Sequence, residues 1–146
     1  MTSQQLVLRL AFGGLMLFQA YNSLLDMDNS ELRDVNQAIG YYTGRFDILS
    51  DAKHVSNLDS LIQNFLAMLS LWAGITILSG YGQIGSLLAM SHSLLALLFT
   101  SNVWTPKIDQ DAEISNFLLV TSEFFMSLIV LLDLQAEIPG ERFKDQ

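Results

Sequence analysis

Residues 61–101 read LIQNFLAMLSLWAGITILSGYGQIGSLLAMSHSLLALLFTS, two apolar runs of 18 residues (61–78 and 84–101) joined by Ser79-Gly80-Tyr81-Gly82-Gln83. No Asp, Glu, Lys or Arg falls in the stretch. As helices, the two runs are each about 27 Å long, close to the ~30 Å hydrocarbon core of a bilayer. The glycines between them allow a tight reversal. The segment is therefore expected to be a transmembrane helical hairpin.

Two further apolar runs flank it, 6–25 with 20 residues and 114–134 with 21. Pro139 and Gly140 then oppose further helix, and a charged tail, 135–146, closes the chain. The expected fold is all-α: one membrane domain, a four-helix bundle, with a long amphipathic or polar connection over 26–60 between the first two helices. That connection is too charged to cross a bilayer. Asn29 and Ser30 are placed to cap a short helix through about Ile39, and Asp51 or Ser56 to start the helix that enters the second span. Tyr41, Tyr42 and Phe46 suit either a membrane interface or packing against the bundle, and Trp104 suits a membrane boundary.

Four spans put both termini and the Gly80 turn on one side and the two longer connections on the other. Those connections hold 10 of the 15 acids and 4 of the 7 bases. Counting bases alone leans them toward the cytoplasm or matrix. Met1 to Gln5 carries no Lys or Arg, and Arg9 interrupts the apolar run that follows. The first segment is therefore expected to be a retained span, not a secretory leader.

The net charge of −8 comes without any basic cluster. Nucleic acid is disfavoured as a partner, because phosphate neutralisation needs such a cluster. The same deficit argues against a polybasic lipid anchor. The chain has no cysteine, hence no disulfide, thiolate metal site or iron-sulfur cluster. His54 lies in the connection and His92 in a span, so the chain does not supply two membrane histidines to a haem. No His/Glu grouping has metal-ligand spacing. Gly80-Tyr81-Gly82-Gln83-Ile84-Gly85 joins two apolar helices and follows no strand, which makes it a turn and not a nucleotide loop. No catalytic, cofactor-binding or metal residues are expected.

Ionisable groups at bilayer depth are costly and are expected to face inward with partners. His92, ninth of 18 in its run, and Glu123, tenth of 21 in its own, sit near mid-depth and form the natural pair. Asn116, Glu123 and Ser127 share a helical face at i, i+7 and i+11. Gly85, Ala89, His92, Ala96 and Thr100 form a stripe of small residues around the histidine, and Ser70 and Gly74 offer a similar contact on the preceding helix. Arg9 lies near the terminal face, where Asp133 matches its depth. Arg9, Gly13, Met16, Ala20 and Ser23 share a face expected to look inward, with Gln19 and Asn22 widening its polar end. The His92–Glu123 pair reads either as a proton relay or ligand lining, or as an interhelical tie. A proton pathway needs a chain of such groups and only two lie at mid-depth, so a structural tie is the expectation.

Leu8-Arg9-Leu10-Ala11-Phe12-Gly13, the long polar connection, and Ala73-Gly74 running to Gly80 and Gly82 together resemble the DoxX-like family of small four-helix membrane proteins. The surfeit-locus cargo receptors are distantly similar to that family. The resemblance covers spans one to three. It departs at Ser70, where the family tends to carry a glutamate. It implies a four-helix fold and, because some members accompany quinone-linked oxidoreductases, a membrane-subunit role.

The function expected from all of this is a non-catalytic accessory subunit of a larger membrane assembly, such as a respiratory or other energy-converting complex. Its partners would be other membrane subunits and lipids, with a bound lipid or quinone as the one conceivable cofactor. The mitochondrial inner membrane is favoured, with the endoplasmic reticulum or a bacterial inner membrane as alternatives. Two other functions are open: a cargo receptor or chaperone using the 26–60 connection, and a quinone- or proton-handling subunit using His92 and Glu123.

Overall fold

The computed structural model describes residues 3–25, 30–101 and 110–136, without the side chains of Lys53, 110–113 and 133–136. Asn29, Trp104, the Asp133 side chain and the Pro139–Gly140 stop lie outside what is described. Within it every regular element is helical: α1 (Ser3–Leu25), α2 (Ser30–Arg45), a 3-10 segment (Asp47–His54), α3 (Leu58–Leu78), α4 (Gly82–Phe99) and α5 (Gln110–Ala136).

Three helices are long and apolar enough to cross a membrane: α3, α4 and the 114–132 stretch of α5. α1, expected as a fourth span, does not reach the same standard, although its 23 residues give it the length. Arg9, Gln19 and Asn22 dilute its apolar character.

The helices pack in the order α1, α3, α4, α5, and α5 touches α1 over a short stretch. Neighbours run antiparallel. The Ser70 hydroxyl of α3 donates to the Met16 carbonyl of α1 at 2.6 Å, while Gln63, further back along α3, reaches the Ser23 carbonyl at 3.4 Å. Gly13 and Gly74 meet at the same contact: a Cβ on Gly74 would stand 3.0 Å from the Gly13 carbonyl oxygen and 2.8 Å from Leu17. Small residues here let two backbones approach, as the Ser70-x-x-x-Gly74 spacing predicts. Gly85 does the same between α4 and α3, where a Cβ would lie 2.9 Å from the Ile77 nitrogen.

The α3–α4 reversal is made at Gly80, whose φ of 92° is open to glycine at no steric cost. Its N–H donates to the Ile77 carbonyl and that of Tyr81 to the Thr76 carbonyl, which satisfies the last carbonyls of α3 in a Schellman arrangement.

The long connection is more ordered than its sequence suggests. α2 continues beyond Ile39 to Arg45. Val35 and Ala38 are fully buried, and the Tyr42 hydroxyl donates to the Leu98 carbonyl at 2.7 Å. Tyr42 also meets Phe99 edge-on. Packing against α3 and α4 extends a helix that its polar composition alone would have ended earlier. Asp51, expected as a possible helix start, lies inside the 3-10 segment. Nor does Ser56 cap α3, which starts at Leu58 behind Asn57 in a left-handed conformation (φ 58°) that asparagine tolerates better than most residues.

Across α3, α4 and α5, Leu66, Ile77, Val120 and Val130 are buried, but many other bulky apolar side chains face outward. Large apolar side chains such as Phe65, Trp72, Leu87, Leu94, Phe125 and Ile129 are exposed, while Ala67, Ser70, Ala73, Gly85, Ser86, Ala89 and Ser127 are buried. An apolar solvent gives large side chains no reason to turn inward, and small residues pack helices closely.

Candidate functional site

α1, α4 and α5 converge on Glu123, which is 2% exposed. Antiparallel pairing of α4 with α5 brings position 92–93 level with position 123, as equal depth in two spans requires. His92 Nδ1 lies 2.7 Å from Glu123 Oε1, and the Ser93 hydroxyl donates to the same oxygen at 2.9 Å. From α1, Gln19 Nε2 donates to Oε2 at 2.7 Å. Ser93 Oγ stands equally close, 2.9 Å, to the Ala89 carbonyl one turn back, so its one proton serves two acceptors. With Glu123 ionised, the His92 bond requires the tautomer with its proton on Nδ1.

The expected pair therefore exists, inside a larger cluster. Gln19 and Ser93 belong to it, and the pairwise reading of His92 with Glu123 passes over both. Gln19 carries a readable signal, an amide well inside an apolar run. Ser93 has almost none, since it sits one place after the histidine. On α4 the buried line runs through Gly82, Gly85, Ser86, Ala89, Ser93 and Ala96, so Gly85, Ala89 and Ala96 of the expected stripe are buried. His92, partly exposed, lies at the edge of that line with Thr100 and not at its centre.

On α5 the proposed stripe divides. Ser127 is buried and donates to the Glu123 carbonyl at 2.7 Å, one turn back along its own helix. Asn116 is exposed and does not join the buried cluster. Seven residues of helix leave it about 20° out of line with Glu123, and it lies nearly two turns closer to the long connections. Arg9 is partly buried near the terminal end of α1, and the Arg9–Asp133 pairing falls on a side chain outside the described set. The inward face expected of α1 is correct at Gly13, Met16 and Ala20, all buried.

Above the cluster, toward the long connections, a cavity of about 210 Å³ opens. Glu123, His92 and Gln19 line its end toward mid-span, and Glu31, Asp34, Ser101 and Asn116 line its end toward the long connections. Leu66, Ala96 and Val120 supply apolar wall. Glu31 is fixed there by the Ser23 hydroxyl, which lies 2.7 and 2.8 Å from its two oxygens. On the opposite side of Glu123, toward the Gly80 turn, Phe12, Met16, Ala73, Ile77, Ala89 and Val130 form a buried apolar cluster.

Compared with known proteins, the chain matches no family model, no curated protein and no solved structure.

Proposed function

We propose that the chain is a four-span, non-catalytic membrane subunit that packs into a larger assembly, an accessory subunit of a respiratory or other energy-converting complex. The observation that carries this reading is the use made of the interior polar groups. Glu123 receives donors from α1 and α4 and so ties three helices together. A carboxylate engaged in this way holds a scaffold together.

α1 supports the four-span count. Its polar Gln19 turns inward to Glu123, while Leu6, Val7, Leu10, Phe18 and Tyr21 form an exposed apolar face. The residues that lower its average apolarity are thus partly withdrawn from the surrounding medium. The DoxX-like order of parts, with its precedent of membrane subunits beside oxidoreductases, points the same way. Fastening of α2 through Val35, Ala38 and Tyr42 commits much of the long connection to the chain's own helices, which favours a subunit over a receptor that captures clients with a free loop.

Mild-detergent purification of the tagged full-length chain from its native membrane tests the reading. Stoichiometric co-purification of other multi-pass subunits, identified by mass, is expected. Migration as a lone monomer that carries only lipid would refute it.

A further inference from the structure

We propose that the cavity above Glu123 is a binding site for a small primary ammonium ion, with the N–H groups directed at Glu123 and Gln19 and a short alkyl body against Leu66, Ala96 and Val120. This goes beyond the subunit role and does not depend on it.

Three observations converge. The first is charge. Among the described residues, the titratable groups facing the cavity are Glu31 and Asp34 from α2, His92 from α4 and Glu123 from α5; α1 contributes the neutral Gln19 and Asn22, and no described Lys or Arg lines it. With walls of low dielectric the field of such a cleft is focused and favours a cation. An anionic ligand, or a lipid phosphate, would meet it unfavourably.

The second is hydrogen-bond bookkeeping at the cavity floor. Gln19 donates through Nε2 to Glu123 Oε2, which fixes the orientation of the amide and leaves its Oε1 buried with no protein donor. A carboxylate has about four acceptor positions, and three donors approach this one. The cluster therefore has more acceptors than donors. An ammonium group brings three donors and no acceptor, which is the complement of that imbalance. The terminal torsion of glutamine is soft, so a small rotation turns Oε1 to a ligand in the cavity.

The third is shape. About 210 Å³ equals the liquid volume of roughly seven waters, enough for an ammonium with a short alkyl chain. The apolar walls lie beside the polar floor, so charge and alkyl group are both accommodated.

The test uses the full-length chain in nanodiscs of phosphatidylcholine, whose headgroup has no N–H, with n-butylammonium as the probe and calorimetry as the readout at constant ionic strength. Saturable binding is expected. Tetramethylammonium, equal in charge but without donors, should bind about tenfold more weakly or not at all. Glu123→Gln replaces one carboxylate acceptor oxygen by an N–H donor and should weaken n-butylammonium about tenfold or more. Leu119 lines the cavity but is mostly exposed, so Leu119→Trp obstructs the site with the polar cluster intact and should also abolish binding, which keeps the test decisive if Glu123→Gln does not fold. Equal binding of tetramethylammonium, or undiminished binding in Leu119→Trp, would overturn the proposal. A separate arm adds phosphatidylethanolamine: unchanged probe binding assigns the site to free amines, and competition assigns the same ammonium chemistry to a lipid headgroup.

Discussion

Removing Glu123 costs more than the bonds it makes, because its donors stay behind without their acceptor. Interhelical hydrogen bonds in membranes are worth about 0.6 kcal/mol on average and up to about 1.7 kcal/mol. Ser93→Ala takes away one donor whose proton was already shared with the Ala89 carbonyl, so it should destabilise by about 1 kcal/mol or less. Glu123→Ala leaves the Gln19 amide, the His92 ring and the Ser93 hydroxyl short of an acceptor and opens a void, and should cost about 2–5 kcal/mol. Glu123→Gln keeps the shape and an acceptor oxygen and should fall between the two. Reversible unfolding in mixed micelles measures the order, and a Ser93→Ala loss equal to that of Glu123→Ala would contradict it. How legible this site was follows from the same physics. Depth alone paired His92 with Glu123, since two costly groups at one level of a bilayer must find each other. The remaining donors depend on helix rotation to within one residue, which depth alone does not give, so Ser93 carries no signal in the sequence and the small-residue stripe does not separate its centre from His92 at its edge.

For the helices, the informative contrast is between glycines alike in sequence but not in surroundings. Gly14 on α1 is exposed and a Cβ there would meet nothing within 4 Å. Gly85 on α4 is buried, and a Cβ there would press on the Ile77 backbone nitrogen at 2.9 Å and on the Thr76 hydroxyl at 2.8 Å. Gly14→Ala should therefore stabilise by about 0.5–1 kcal/mol through helix propensity. Gly85→Ala must push α4 away from α3 and should cost about 1–3 kcal/mol, as overpacking does. Opposite shifts in the unfolding midpoint are expected, and shifts of the same sign would show that Gly85 does not set the α3–α4 distance. The hairpin itself was legible from 61–101 alone, because an uncharged pair of runs around a glycine turn has few other uses. α2 was not. Its inward face is built from Val35, Ala38 and Thr43, too small and too sparse to stand out from a charged segment, and Tyr42 reveals its anchoring role only once Leu98 is seen beside it.

For the whole molecule, the distribution of large and small side chains says more than average apolarity. The exposed faces of α3, α4 and α5 carry the bulky residues, so burial in lipid, not collapse away from water, accounts for their pattern. α1 shows the same turn-out with Val7, Leu10, Phe18 and Tyr21, although its composition falls short of the three apolar helices. Its 23 residues measure about 35 Å, enough for the crossing. Whether α1 crosses decides the topology. If it does, the start of α1 and the Gly80 turn share a side, and the 3-10 segment lies on the other. If it does not, the start of α1 stays with the 3-10 segment. The absence of cysteine makes the question directly measurable, because each introduced thiol is unique. Ser3→Cys, Gln83→Cys and Asp51→Cys all place the thiol at exposed positions. With a membrane-impermeant maleimide on sealed vesicles, Ser3→Cys and Gln83→Cys should be labelled from one side and Asp51→Cys from the other. Labelling of Ser3→Cys together with Asp51→Cys would reduce the fold to three spans. α1 would then lie along the membrane surface, and its Gln19 bond to Glu123, in the interior of the other helices, would have to be abandoned with it.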